Sequence, residues 1–552
     1  MGDANSALAA GRAALEQSRF ADAAAAFQSA LNSGGSKPDA LAGLSAAAWG
    51  QGRVAEAHKH ALAAYELAPR AIGTLMALAP PAIRQQDTAS VQACFAYLTQ
   101  APPATGEHLI TFWAARLADQ HCFAEAAVVY RALIDAATPT YKRSIQYAEY
   151  LIKAFRPETA LPVLEHALRL SDNPSGAHAL MAQCAIQLGD LARARQAALN
   201  AIARDKGCIP AYASLAEVDP KAIEPRMYAD LEAAGARTDL PGGDRGRALL
   251  ALAHALESAG DYDAAFARFR EGNAHVREGL EKAGRGYDAA RMEQMLAALK
   301  EVYSPAFFAR AHPASGRGEG LIFIVGMPRS GTTLTDQIVA SHSRAASVGE
   351  NTAIQRIAQR FLAALKPGED AAAALDREAG ALAELYYKSL PAHTDFIVDK
   401  LVTNFWNAGF IRRLFPAAKI ILMRREPMDV CLSIFRLSFL DTLSFACDLD
   451  QIAHFHSIFA RTVSHWDATI PDWALTVQYE TLVEDFEPQV RRILDHCGLP
   501  FEEACLKFQE NKRPVFTLSA AQVRKGVFTS SRERWRKYEK HLAPLKAALG
   551  RD

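Results

Sequence analysis

The sequence predicts an array of α-helical hairpins followed by an α/β domain built on a parallel sheet. Three observations carry that expectation. A period near 34 residues runs from Phe20 to Leu191, a polar Gly-rich stretch (HPASGRGEG, 312–320) interrupts the chain, and an apolar strand leading into a glycine loop and a helix follows at once. At 552 residues the chain is too long for one hydrophobic core, so two to four domains are expected.

The repeats come first. QSRFADAAAAF, QGRVAEAHKHA, QQDTASVQACF, QHCFAEAAVVY, AFRPETALPVL and LGDLARARQAA align on Phe20, Val54, Thr88, Phe123, Pro157 and Leu191, at spacings of 34, 34, 35, 34 and 34 residues. AGDYDAAFARF, centred on Tyr262, lies about two periods further on. A small Ala or Gly at fixed places lets two helices approach closely, and large apolar residues fill the gaps between neighbours. Each hairpin then buries its face only against the next. The Ala-rich texture itself favours helix. The pattern resembles the tetratricopeptide repeat, and that resemblance implies a superhelix with a concave groove suited to a peptide or partner chain. Pro157 and Thr88 mark degenerate middle repeats. The pattern lapses around 215–245, and helix resumes to about residue 303. We expect 1–310 to be the repeat domain, 311–320 the linker and 321–552 the second domain.

LIFIV (321–325) reads as a buried parallel strand, GMPRSGTT (326–333) as a Gly-bounded turn, and the spacing of Leu334, Ile338 and Val339 as a helix. Strand, glycine loop and helix present backbone N–H groups to an anion. The loop differs from a Walker A sequence at the decisive position. Thr332 stands where the lysine would be and the cation comes earlier, at Arg329, so a nucleoside triphosphatase or kinase is disfavoured.

P-R-S-G-T-T after an apolar strand resembles the 5′-phosphosulfate loop of sulfotransferases, in particular the tyrosylprotein sulfotransferases. The resemblance implies that Arg329, Ser330, Gly331, Thr332 and Thr333 hold the phosphosulfate of 3′-phosphoadenosine 5′-phosphosulfate (PAPS). It also implies an α/β, P-loop-like domain with a parallel sheet. In FPAAKIILMRREPMDVCLSIF (415–435), Arg425 follows a strand and Ser433 lies eight residues later on a helix. This is the spacing with which the family binds the 3′-phosphate that distinguishes PAPS from ATP. Arg424 reads as the surface partner. TVQYETLVED (476–485) is similar to the family's Tyr-Glu-x-Leu segment and makes Tyr479 a nucleotide-site residue. QVRKGVFTSSRERWRKY resembles the basic loop that closes over PAPS in cytosolic sulfotransferases, with Arg524, Lys525 and Gly526 in its R-K-G position. The following Trp stands farther away than in that motif.

Sulfuryl transfer needs cations on developing charge and a base for the acceptor proton. Cytosolic sulfotransferases use a His two residues after a Lys. In VDKLVTNF the Lys is Lys400, but Val402 takes the His position. SVGENTAI instead resembles the tyrosylprotein sulfotransferase segment carrying a catalytic Glu, and it places Glu350 seventeen residues after Thr333. The resemblance thus implies Glu350 as base, with Arg329, Lys400 and either Ser530 or Ser531 stabilising the leaving phosphate (product PAP), and no metal. A tyrosine of a protein or peptide is the expected acceptor, recruited by the repeats. Carbohydrate and lipid hydroxyls stay open, as does a non-catalytic nucleotide-binding scaffold, and the oligomeric state is not specified.

Composition narrows the class further. Lys plus Arg and Asp plus Glu both number 61, which argues against bulk nucleic-acid or membrane-surface binding. The eight cysteines show no C-x-x-C pair and read as small buried hydrophobes in a reducing compartment. No signal-peptide pattern or membrane-length apolar run is visible. MGDANS matches the loose myristoylation pattern, a short motif that arises by chance. The expected location is cytoplasmic. His454 and His456 read as ordinary polar helix positions.

Overall fold

A computed structural model describes residues 2–550 except 86, 99, 120–121, 137, 311–315, 367, 392–394, 438–442 and 512–531. The chain forms two compact units, Met1–Leu180 and Met181–Asp552.

The first unit contains α1 (Gly2–Glu16), α2 (Phe20–Asn32), α3 (Lys37–Gly50), α4 (Val54–Leu67), α5 (Ile72–Gln85), α6 (Thr88–Leu98), α7 (Pro103–Asp119), α8 (Phe123–Ala136), α9 (Tyr141–Lys153) and α10 (Pro157–Ala167). Helix α11 (Ser175–Leu188) carries the division. The second unit continues with α12 (Leu191–Arg204), α13 (Ile209–Val218), α14 (Tyr228–Ala236), α15 (Gly242–Ser258), α16 (Tyr262–Lys282), α17 (Ala289–Val302) and α18 (Pro305–Ala309). All seven positions aligned in the sequence are the first residue of a helix: Phe20, Val54, Thr88, Phe123, Pro157, Leu191 and Tyr262 open α2, α4, α6, α8, α10, α12 and α16.

At three of these starts the physical reason is visible at the residue just before. Asp87, Asp190 and Asp261 accept hydrogen bonds from the backbone N–H groups of Ser90, Arg193 and Ala264, satisfying helix donors that have no partner within the helix. Each such cap is worth about 1 kcal/mol. The small residues do the packing expected of them. A Cβ on Gly43 would lie 2.5 Å from the Phe27 ring, which is itself 1% exposed.

The sheet is built from β1 (Leu321–Gly326), β2 (Ala345–Gly349), β3 (Phe396–Asp399), β4 (Lys419–Arg424) and β5 (Leu475–Gln478), all parallel, in the order β2-β3-β1-β4-β5. Its connections hold α19 (Thr332–Ala340), α20 (Ala353–Ala364), α21 (Ala371–Tyr387), α22 (Ala408–Leu414), α23 (Pro427–Phe435) and α24 (Leu449–Thr469). After β5 come α25 (Tyr479–Glu484), α26 (Phe486–Cys497) and α27 (Ala543–Ala548). Strand β1 is buried throughout and β4 at its four inner positions, as expected for a parallel sheet covered on both faces. All eight cysteines are buried and unbridged. Among the described residues no helix is long and apolar enough to cross a membrane.

The division between the two compact units falls within the helical repeats, between Leu180 and Met181. Leu250, Phe266 and Phe269 of α15 and α16 share one core with Phe323, Leu422, Phe435, Tyr538 and Leu545. Phe266 lies 5.8 Å from Phe435 and 6.0 Å from Tyr538, centroid to centroid. Burying one large side chain contributes roughly 1.5–3 kcal/mol, so losing this hairpin removes a large part of a marginal stability. A fragment of residues 311–552 is therefore expected to lack a cooperative urea transition, whereas residues 181–552 should show one by circular dichroism. Cooperative unfolding of the shorter fragment would contradict the shared core.

Candidate active site

Because every strand is parallel, all five carboxyl ends lie on one edge of the sheet, where ligands of open α/β folds bind. Each end delivers a residue singled out in the sequence. Strand β1 leads into the 327–331 loop, β2 into Glu350, β3 into Lys400, β4 into Arg425 and β5 into Tyr479. The chain leaves β1 towards β2 and leaves β4 towards β5, on opposite sides, so a crevice opens between β1 and β4.

The loop after β1 is held in an unusual conformation. Arg329 has φ +69°, a left-handed value that costs a non-glycine residue about 1–3 kcal/mol. Two contacts hold it there: Arg329 Nε donates to Ser433 Oγ at 3.1 Å, and Arg425 Nη1 donates to the Arg329 carbonyl at 3.1 Å. Ser330 is 1% exposed and its hydroxyl donates to the Met327 carbonyl at 2.7 Å, closing the turn. Gly331 (φ +99°) has no room for a side chain, since a Cβ there would lie 2.6 Å from the Tyr479 ring. Thr332 and Thr333, both buried, open α19. The Arg425 guanidinium lies 4.5 Å from the centre of the Tyr479 ring, a cation–π contact. The residues expected at the 5′ and 3′ ends of the nucleotide therefore form one connected cluster. Burial, followed by the charges of Arg425 and Arg436, lowers Arg329 to about 10. It stays cationic near neutrality, but among like charges whose repulsion a bound anion relieves.

Beside the cluster, Lys400 Nζ donates to Glu350 Oε1 at 2.6 Å, with Lys400 buried (1% exposed) and Glu350 open to solvent. The two residues expected to be catalytic are thus in direct contact. Asp399, next to Lys400, accepts from the Tyr386 hydroxyl at 2.9 Å, and burial raises its carboxyl to about 7. Glu350 is the acid that pairs directly with Lys400.

Helix α23 carries Ser433 and is fastened at both ends. Asp429 accepts from the backbone N–H groups of Glu533 (2.7 Å) and Trp535 (3.2 Å), and Asn273 Nδ2 donates to the Phe435 carbonyl at 2.7 Å. Arg436, one turn beyond Ser433, pairs with Glu257 of α15. Glu257 also accepts from the Tyr538 hydroxyl at 2.7 Å. Burial alone would raise the Glu257 carboxyl, but Arg436, His254 and Arg534 bring it well below the carboxylate range.

Sequence reasoning missed Glu257, Arg436 and Glu217. Two of them left a faint signal: Glu257 as a lone acid in the apolar run LLALAHALES, and Arg436 as an arginine one turn from Ser433. Glu217, near the end of α13, lies close enough to Arg329 to feel its charge. Its side chain is open to solvent.

Arg424 points away and pairs with Asp467 at 3.6 Å, as the surface reading expects. His454 is occupied by the Tyr287 hydroxyl (2.8 Å) and Glu293 (3.3 Å). Arg524, Lys525, Gly526, Ser530 and Ser531 lie outside the described residues.

Residues 322–503 match the sulfotransferase family model, and residues 151–217 match a tetratricopeptide-repeat model. An uncharacterized protein of Aquifex aeolicus (strain VF5) is 36% identical over 320 residues, 55% of this chain. The chain spans 41% of that protein's length. Two solved structures are similar to part of the chain. One is the sulfotransferase domain of the Synechococcus PCC 7002 olefin synthase (23% identity, 41% of this chain, 90% of that one, TM-score 0.30). The other is a sulfotransferase domain from the curacin biosynthetic pathway (19% identity, 43% of this chain, 99% of that one, TM-score 0.29). The architecture is a helical region, matching a tetratricopeptide-repeat model over 151–217, followed by an α/β region with a five-stranded parallel sheet that matches the sulfotransferase family model over 322–503.

Proposed function

We propose that the chain is a PAPS-dependent sulfotransferase of the tyrosylprotein type, acting on a tyrosine hydroxyl of a protein or peptide that the repeats recruit. One observation carries the reading. A Glu–Lys pair (Glu350 and Lys400) lies on the same sheet edge as an arginine cluster closed by Ser433.

The donor set fits the nucleotide. Arg329, Arg425 and Arg436 repel one another, and Arg436 Nε is buried with no hydrogen-bond partner among the described residues. A phosphate dianion would offset the repulsion felt by Arg329 and supply further acceptors. Arg425 and Ser433 would hold the 3′-phosphate, while Arg329, Ser330, Gly331, Thr332 and Thr333 would hold the phosphosulfate. PAPS, when bound, supplies an activated sulfuryl group on a good leaving phosphate.

The chain's own side chains do the rest. Glu350 accepts the acceptor proton as the new bond to oxygen forms. Lys400, fixed in the core, orients that carboxylate and sets a positive charge beside the departing oxygen. Arg329 stabilises charge developing on the phosphate side.

The test is transfer of labelled sulfuryl from PAPS to a tyrosine peptide, a simple phenol, a sugar and a lipid alcohol. The peptide is expected to be labelled fastest. Labelling of the sugar or lipid alone would refute the tyrosine acceptor, and labelling of no hydroxyl would refute the activity.

A further inference from the structure

The hairpin α15–α16 belongs by sequence to the repeat array, yet it reaches the nucleotide side of the catalytic unit. Glu257 of α15 is 9% exposed and receives the Arg436 guanidinium and the Tyr538 hydroxyl, with Arg534 Nε at 3.7 Å and His254 Nδ1 at 3.8 Å. Arg436 is 8% exposed and also lies 5.7 Å from the Phe269 ring of α16. Asn273 of α16 takes the last carbonyl of the Ser433 helix. Two polar anchors at the end of α23, Asn273 and Glu257, thus come from a repeat-type hairpin, and Ser433, one turn back, is the residue that receives Arg329.

Electrostatics point the same way. A buried arginine without a carboxylate partner carries a heavy desolvation cost, and Arg436 is close enough to Arg329 to weigh on its charge. Glu257 is the acid paired with Arg436, and it also faces Arg534. Without it, Arg436 would be driven towards solvent or towards the phosphate site, and the α23 end would lose one of its two anchors.

We propose that Glu257, through Arg436, is a positioning residue for recognition of the nucleotide 3′-phosphate, so that the last repeat hairpin sets the donor specificity of the sulfotransferase domain. This rests on the PAPS reading above.

The test compares PAP with AMP, which lacks the 3′-phosphate, by calorimetry on the full-length chain. Wild type should prefer PAP strongly. Glu257→Gln keeps the size and one acceptor but removes the charge. It is expected to lower the PAP-to-AMP affinity ratio by about tenfold or more while AMP affinity stays near the wild-type value. Restoring the charge with Glu257→Asp should recover part of the ratio. If Glu257→Gln does not fold, Arg436→Lys keeps the positive charge, loses the forked contact, and should lower the same ratio. PAP and AMP weakened by one common factor, or an unchanged ratio in a folded variant, would overturn the proposal, because a merely structural role moves both alike. A wild type with no preference for PAP would remove the PAPS reading first and this inference with it.

Discussion

Glu350→Gln is expected to reduce sulfuryl transfer by about 10²–10⁴-fold, the usual contribution of a general base. The geometry makes this substitution unusually clean. Glutamine keeps an Oε1 that can accept from Lys400 Nζ, so the buried lysine keeps a hydrogen-bond partner where it now has one at 2.6 Å. What is lost is the ability to take a proton, together with the negative charge facing Lys400. PAP affinity should change by less than about threefold, since Glu350 follows β2 while the arginine cluster follows β1 and β4. Steady-state rates and calorimetry on the same preparation separate the two effects. A variant retaining more than about a tenth of wild-type turnover would remove Glu350 from the role of base.

Arg329→Ala is expected to weaken both binding and turnover. A hydrogen bond to a charged group is worth about 1.5–3 kcal/mol, so PAP affinity should fall by about 10–150-fold, with a larger loss in kcat/KM. The free protein should behave differently. Arg329 lies beside two other arginines, so its removal relieves repulsion, while the left-handed backbone at this position stays strained with alanine. The melting temperature without ligand should hold or rise while the increase produced by PAP shrinks. A fall in the ligand-free melting temperature with normal PAP affinity would mean that Arg329 serves the fold and not the ligand.

Much of this arrangement was legible in the sequence because the signals are local. The repeat register needed only a spacing, and an aspartate before Thr88, Leu191 and Tyr262 turns that spacing into helix starts. The order strand, loop, helix likewise placed Arg329 and Arg425 at strand ends. Contacts between distant segments were not legible. Arg329 and Ser433 are 104 residues apart and touch through their side chains, where the sequence assigned them to opposite ends of a nucleotide. Glu257 and Arg436 are 179 residues apart, and nothing local says that an acid in an Ala/Leu helix will meet an arginine at the end of another. For the same reason the linker did not announce the compact units. The core joining α15 and α16 to the sheet is made of ordinary Leu and Phe, whose partners only the tertiary fold specifies.

The cluster of Arg329, Arg425 and Ser433 is expected to read a nucleotide carrying a 3′-phosphate. Calorimetry of the full-length chain with PAP and with ATP, in one buffer at one salt concentration, tests it most directly. The account predicts a micromolar or tighter Kd for PAP and an ATP affinity weaker by at least about tenfold, or 1.4 kcal/mol. Equal affinity for the two nucleotides, or tighter binding of ATP, would contradict it.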